Sequence, residues 1–258
     1  MTTYVLVHGG GSTHRFWDRL VPLLETGDPT PTVLAVDLPG RGDHPADLGG
    51  ITVQDEVDAV VGDVVASAPG GPVVLVAHSS GGLVVPGVVE GLHGRVRSVV
   101  LVAALVPPEG GDGLDCMQPR HAEGLRTFAA SLGPDDPPIT LPGPPEDPEP
   151  FRTSTGGDAL DDETLAFVVD PARLVPDTVH HYFQPVRWSV VPPDVDVTFV
   201  VTERDRPIPV DLQREMIARL PITPTVVELD TGHLAPITHP ELVADAVRAA
   251  AERAGAAG

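Results

Sequence analysis

The chain reads as an α/β protein: a six-stranded, mostly parallel sheet with helices on both faces and a helical insertion over one edge. Three observations predict this. Short, almost wholly apolar runs recur, such as Tyr4-Val5-Leu6-Val7 and Val73-Val74-Leu75-Val76-Ala77, and strands covered on both faces have that composition. Stretches with helical apolar spacing separate them, as parallel crossovers require. A proline-rich, acidic segment breaks the alternation once, and the alternation then resumes.

Taken in order, Tyr4 to His8 is the first strand, and Gly9-Gly10-Gly11-Ser12 follows at once. A glycine run permits positive φ and close backbone approach, as a loop presenting N–H groups to a ligand requires. Phe16, Leu20, Leu23 and Leu24 share one face of a helix expected from about His14 to Leu24. The second strand, Thr32 to Val36, runs into the turn-rich Asp37-Leu38-Pro39-Gly40-Arg41-Gly42. Thr52 stands as an N-cap before a helix over 53–68, whose stripe is Val57, Val60, Val61, Val64 and Val65. The third strand, Val73 to Ala77, leads to a helix reaching about Leu92, which Pro86-Gly87 kinks or shortens. Val96 to Ala103 is the fourth strand.

Residues 107 to about 190 form the interruption, with helical patches expected near 122–132, 162–169 and 177–183. A structureless stretch of this length is unusual in a compact chain, so it is read as a helical cap over the active edge. Val197 to Val201 and Pro224 to Leu229 supply the fifth and sixth strands, with helices near 210–220 and 241–251. One domain over 1–258 is expected, with its core in 1–106 and 191–258 and the cap in about 107–190.

Composition narrows the function. The 16 basic residues, every one Arg, face 37 acidic ones, for a net charge of -21. A surface this acidic argues against nucleic acid and anionic membranes as partners. With no Lys in the chain, Schiff-base chemistry and a covalently held pyridoxal cofactor are excluded. Cys116 is the single cysteine, which rules out an intrachain disulfide and a Cys-based metal site. Neither clustered metal-ligand spacing nor a GxGxxG or phosphate-loop pattern is present, so no metal and no cofactor are expected. No run approaches membrane-spanning length and the N-terminus lacks a signal-peptide pattern, giving an expectation of a cytoplasmic protein.

The chemistry centres on Ala77-His78-Ser79-Ser80-Gly81, a small-x-Ser-x-Gly pattern between a buried strand and a helix. That is the setting of a nucleophile elbow, where small neighbours fit around a strained backbone. A Ser hydroxyl needs a base, and the base needs an orienting acid, from loops past other strand ends. His233, in Asp230-Thr231-Gly232-His233-Leu234 after the sixth strand, is the candidate base; His239 is the weaker alternative. Asp205, after the fifth strand, is the candidate acid, in competition with Glu203, Asp194, Asp196, Asp230 and Asp112. An imidazole titrating near neutrality can take the hydroxyl proton and return it to the leaving group. His180, His181 and Tyr182 in the cap are candidates for substrate contact. His78 is another, although an elbow aims adjacent side chains apart.

His8-Gly9-Gly10, Asp37-Leu38-Pro39-Gly40-Arg41-Gly42, His78-Ser79-Ser80-Gly81-Gly82, Asp205 and His233 together resemble the α/β-hydrolase superfamily. The early His8-Gly9, Tyr182-Phe183 and the interval from Asp205 to His233 resemble its compact branch of methylesterases and hydroxynitrile lyases. That resemblance implies the α/β-hydrolase fold and an oxyanion hole made by the backbone N–H groups of Gly10 and Ser80. The lyases of the branch carry Lys after the catalytic His and Thr after the first strand's His. Here those places hold Leu234 and Gly9, which argues against cyanohydrin cleavage. The expected function is hydrolysis of a small-molecule ester, thioester or lactone. Acyl transfer, lyase or cyclase chemistry at the same site is the alternative, and a non-catalytic small-molecule-binding module is the third.

Overall fold

A computed structural model of the chain describes every residue apart from 1, 29, 134, 155 and 257–258. Met1, ahead of the first expected strand, and Pro134, in the proline-rich stretch, lie outside the described residues. Strand β1 (Thr3–Val7), helix α1 (Val21–Leu24), β2 (Thr32–Val36), α2 (Val53–Ser67), β3 (Val73–His78), α3 (Val85–Gly91) and β4 (Val96–Val102) follow in alternation. The segment after β4 holds α4 (Pro119–Ser131), β5 (Thr140–Leu141), α5 (Glu149–Ser154), α6 (Asp162–Val168) and β6 (Asp177–Thr178). Alternation returns with β7 (Asp196–Thr202), α7 (Val210–Arg219), β8 (Thr225–Leu229), α8 (Ala235–Thr238) and α9 (Pro240–Ala256).

The main sheet has the order β2-β1-β3-β4-β7-β8, and every neighbouring pair is parallel. All six strands therefore end at one edge. The chain first steps outward from β1 to β2, then crosses back to place β3 on β1's other side. Such a reversal opens a crevice beyond the strand ends, where α/β sheets bind ligands. The loops after β1 and β3 border it.

Side-chain alternation explains why the central strands β1 and β3 are apolar at nearly every position. Val5, Val7, Leu75, Ala77 and Leu101 join one core, with α2, α3 and Met216 of α7. Tyr4, Leu6, Val74, Val76 and Val100 join the opposite core, with α1, α8 and α9. Burying each such Val or Leu contributes about 1.5–3 kcal/mol, so two-sided cover makes the central strands the rigid base of the site.

Three local expectations differ from the structure. The helix expected over 14–24 is a 3-10 turn, His14–Trp17, followed by the short α1. Pro22 lies in the first turn of α1; in a continuous helix its ring would clash with the carbonyl four residues earlier. Likewise, Ser79–Leu83 is a 3-10 turn and the α-helix starts afresh at Val85, with Pro86 in its first turn. Residues 177–183, expected to be helical, instead form β6 and the 3-10 turn His180–Phe183. There Asp177 pairs with Leu141 of β5 in a two-stranded antiparallel sheet, and its carboxylate accepts a hydrogen bond from the β1 loop. Tertiary partners outweigh helical spacing at that point.

Candidate active site

Ser79 follows directly on β3 with φ of 52°, a left-handed backbone that a non-glycine residue rarely adopts. The strain needs empty space around it. A Cβ on Gly9 would lie 2.7 Å from Ser79 Cβ, and one on Gly81 would lie 2.6 Å from the carbonyl oxygen of His8. The glycines thus let the β1 and β3 loops touch, and Ser79 is pressed into the crevice between them. Ser80, next along, is in the first turn of a 3-10 helix, where backbone N–H groups lack intrahelical acceptors.

Past β8, the His233 ring is buried and its Nδ1 lies 2.7 Å from Asp205 Oδ2. Asp205 stands past β7 and is itself fixed by three donors. Oδ2 also accepts from Thr202 Oγ1 at 2.8 Å, and Oδ1 accepts from the Ile208 N–H at 2.7 Å. With Nδ1 turned to the carboxylate, the far nitrogen of the ring, Nε2, is left for other work. Of the competitors for the acid, Asp196 pairs with Arg253 and Asp230 with Arg204, and neither approaches His233 through a hydrogen bond. His239 reaches Thr238 and Asp158 instead.

The His233 loop hangs from the inserted segment, a connection with no periodic or motif signal. The Gly156 carbonyl accepts the His233 N–H at 2.5 Å, and Asp158 Oδ2 accepts the Gly232 N–H at 2.8 Å. Asp158 is in turn held by Arg204, beside Asp205, at 2.7 Å. One short stretch of the insertion therefore binds both the loop that carries the imidazole and the loop that carries the carboxylate.

Ser79 and His233 line one cavity of about 190 Å³. Its walls are largely apolar, from Phe16, Phe151, Val168, Leu174, Leu234 and Ile237. The cavity's cation, Arg173, has its two terminal nitrogens taken by Asp18 and Asp170 at 2.7 and 2.8 Å. His78 also lines the cavity, behind His233: its Nε2 donates to the His233 carbonyl at 2.9 Å, and Phe16 stacks on its ring at 4.7 Å. His180, His181 and Tyr182 are not among the lining residues. His180 faces a separate groove with Phe183 and Leu132, and His181 is buried against Glu56. The Tyr182 hydroxyl lies beside Gly10, 3.0 Å from where a Cβ on that residue would stand.

Among the described residues, His14, Asp37 and Asp43 bring three possible metal-ligating groups together. Asp37 already accepts from the backbone N–H groups of His14 and Asp43, and His14 Nδ1 lies 2.7 Å away. Those bonds account for the cluster as a brace for the turn after β2.

Two buried imidazoles near the site make stability depend on pH. Burial, reinforced by the charge of Arg41, lowers His8 to about 4. Burial first, and His233 second, push His78 well below its ordinary value. Both rings are neutral in the folded chain at pH 7, whereas each binds a proton near pH 6.5 once unfolded. Unfolding therefore takes up protons between about pH 6.5 and 4, and stability falls as pH drops through that window, by up to about 1.4 kcal/mol per pH unit for each ring. The urea midpoint is expected to be lower at pH 5 than at pH 7, with a smaller difference in His78→Gln. Equal pH dependence in the two proteins would refute this assignment.

The model of the alpha/beta hydrolase family matches residues 4–246. A probable esterase, PIR7A, of Oryza sativa subsp. indica is 35% identical over 108 residues, 42% of this chain and 40% of that protein. A carbendazim hydrolyzing esterase of a Nocardioides species is 35% identical over 125 residues, 46% of this chain and 48% of that protein. These alignments span less than half the length of either relative. Among solved structures, an extracellular alpha/beta-hydrolase from a Paenibacillus species superposes with a TM-score of 0.77 at 20% identity, over 97% of this chain and 99% of that one. That likeness is one of fold. With the family model covering nearly its whole length, the chain belongs to the alpha/beta hydrolase family.

Proposed function

We propose that the protein is a cofactor-free serine hydrolase that cleaves a small-molecule ester, thioester or lactone through a covalent acyl-enzyme. The observation that carries the reading is the 2.7 Å contact of His233 Nδ1 with Asp205, in a chain whose strained Ser79 borders the same cavity as His233. The esterase names of the relatives agree with it.

In this reading, His233 Nε2 takes the Ser79 proton as Oγ attacks the substrate carbonyl. Asp205 holds the imidazole in the tautomer with Nδ1 protonated and stabilises the imidazolium that results. The tetrahedral oxyanion is received by the N–H groups of Gly10 and Ser80, each of which is worth roughly 3–4 kcal/mol to such a transition state. His233 then gives its proton to the leaving oxygen or sulfur. Water, deprotonated by the same ring, attacks the acyl-enzyme and releases the acid and free Ser79. Apolar walls suit an uncharged substrate, since they shield the oxyanion contacts from water.

The test is covalent labelling with a fluorophosphonate followed by peptide mapping. One adduct, on Ser79, is expected, and its formation is lost in His233→Ala. Protein that turns over p-nitrophenyl acetate without ever labelling Ser79 would place the chemistry elsewhere, and protein that does neither would favour a binding module.

A further inference from the structure

We infer that Asp177 and Tyr182, both from the segment inserted between β4 and β7, are positioning residues that hold the Gly10 and Ser80 amides in place for the oxyanion. The inference rests on the reading of those amides as the oxyanion donors.

The β1 loop is fastened to the insertion by its backbone. Gly11, left-handed at φ 68°, donates its N–H to Asp177 Oδ2 at 2.7 Å, and its carbonyl accepts the Val175 N–H at 2.8 Å. Thr13 donates its N–H to the Arg173 carbonyl at 3.1 Å. Gly10 is thus the residue just before a clamped one. Without the clamp, a run of three glycines has many backbone states, and the Gly10 N–H would point in many directions.

Asp177 is itself immobilised. Its carboxylate is 2.9 Å from Arg41 Nη1, Arg41 pairs through Nη2 with Glu56, and Glu56 Oε1 lies 3.0 Å from His181 Nδ1. None of these four side chains is more than 2% exposed. Buried ions are poor value as stabilisers, because desolvation cancels much of their attraction. What such a chain does supply is a fixed location for each member, and its terminal oxygen is spent on the glycine loop.

Tyr182 follows His181 directly. Its hydroxyl would lie 3.0 Å from a Cβ on Gly10, and the Ser80 hydroxyl 3.5 Å from that same point, so both hydroxyls flank Gly10. The phenol and the Ser80 hydroxyl are thus gathered at Gly10, and Tyr182 is not among the residues that line the cavity. Preorganised donors are effective because they need not reorient as charge develops.

The experiment compares the full chain with Asp177→Asn and Tyr182→Phe, using kcat and KM on p-nitrophenyl acetate and the inhibition constant of a trifluoromethyl ketone. Concentrations are normalised by Ser79 labelling. Displaced donors are expected to lower kcat roughly 10- to 100-fold with KM unchanged, and to weaken the ketone by the same factor, since only the tetrahedral species uses the hole. Variants that melt earlier but keep kcat and ketone affinity per labelled Ser79 would overturn the inference, as would full activity in both. If Asp177→Asn does not fold, Tyr182→Phe, which loses one oxygen, decides alone. Wild-type protein that neither labels at Ser79 nor turns over would instead defeat the underlying hydrolase reading.

Discussion

Ser79→Ala is expected to lower kcat for ester hydrolysis on the order of 10⁶-fold while leaving substrate affinity nearly intact. The proposed nucleophile is one oxygen, and the cavity's other serine hydroxyl, on Ser12, lies in the β1 loop and not at the strained elbow. Cys116 is buried elsewhere in the core, and burial raises its thiol to about 12, far from a reactive thiolate. The elbow itself survives the change. Its left-handed backbone is imposed by contacts of Gly9 and Gly81 with the neighbouring loops, and Ala keeps the Cβ that Gly9 already accommodates. Stopped-flow and steady-state rates on p-nitrophenyl acetate, with ligand binding followed by calorimetry, check the split. Residual turnover within a factor of about 100 of wild type would move the chemistry to another group.

Asp205→Asn comes next, with an expected loss in kcat of roughly 10⁴-fold. The carboxylate accepts from His233 Nδ1, Thr202 Oγ1 and the Ile208 N–H, so all its positions face donors. A carboxamide cannot satisfy that set. If its oxygen serves Ile208, its NH₂ faces His233 and Nδ1 must act as acceptor. The ring proton then moves to Nε2, the nitrogen that has to receive the Ser79 proton. If its oxygen instead serves His233, the amide NH₂ opposes the Ile208 N–H and the loop is strained. The rate loss should exceed any change in melting temperature, and a crystal structure of the variant should keep the ring in place. An Asp205→Asn protein with near wild-type kcat would return the orienting role to Glu203 or Asp230.

How far the sequence goes toward this picture depends on where each signal resides. The four central strands were legible because nearly all their positions are buried and so read as apolar runs, and the partly covered edge strands β2 and β8 keep enough valine and leucine to be read as well. The elbow was legible for the same reason, with its small residues set at a strand end. His233 and Asp205 followed from the architecture, since parallel strands deliver their loops to one edge. The insertion was legible as an interruption with helices near 122–132 and 162–169, where α4 and α6 lie, but the commitments of its side chains were not. Asp177 had helical spacing, yet its side chain is committed to Gly11 and Arg41, 166 and 136 residues away. Glu56 reads as a polar position on α2, and only the fold reveals that it is fully enclosed. Ion pairs between remote segments leave no periodic trace. The same holds for Gly156 and Asp158, whose roles depend on loops over 70 positions later in the chain.

Those two residues set a limit on how the protein can be re-engineered. A lid that merely covered a pocket could be trimmed, or exchanged for a homologue's, to admit bulkier molecules. Here the insertion also suspends the His233 loop, so deleting it as a cassette would remove that support along with the cavity walls it supplies. Graft boundaries have to spare positions 156–158, and also 173–182, which fasten the β1 loop, leaving the earlier stretch of the insertion open to redesign.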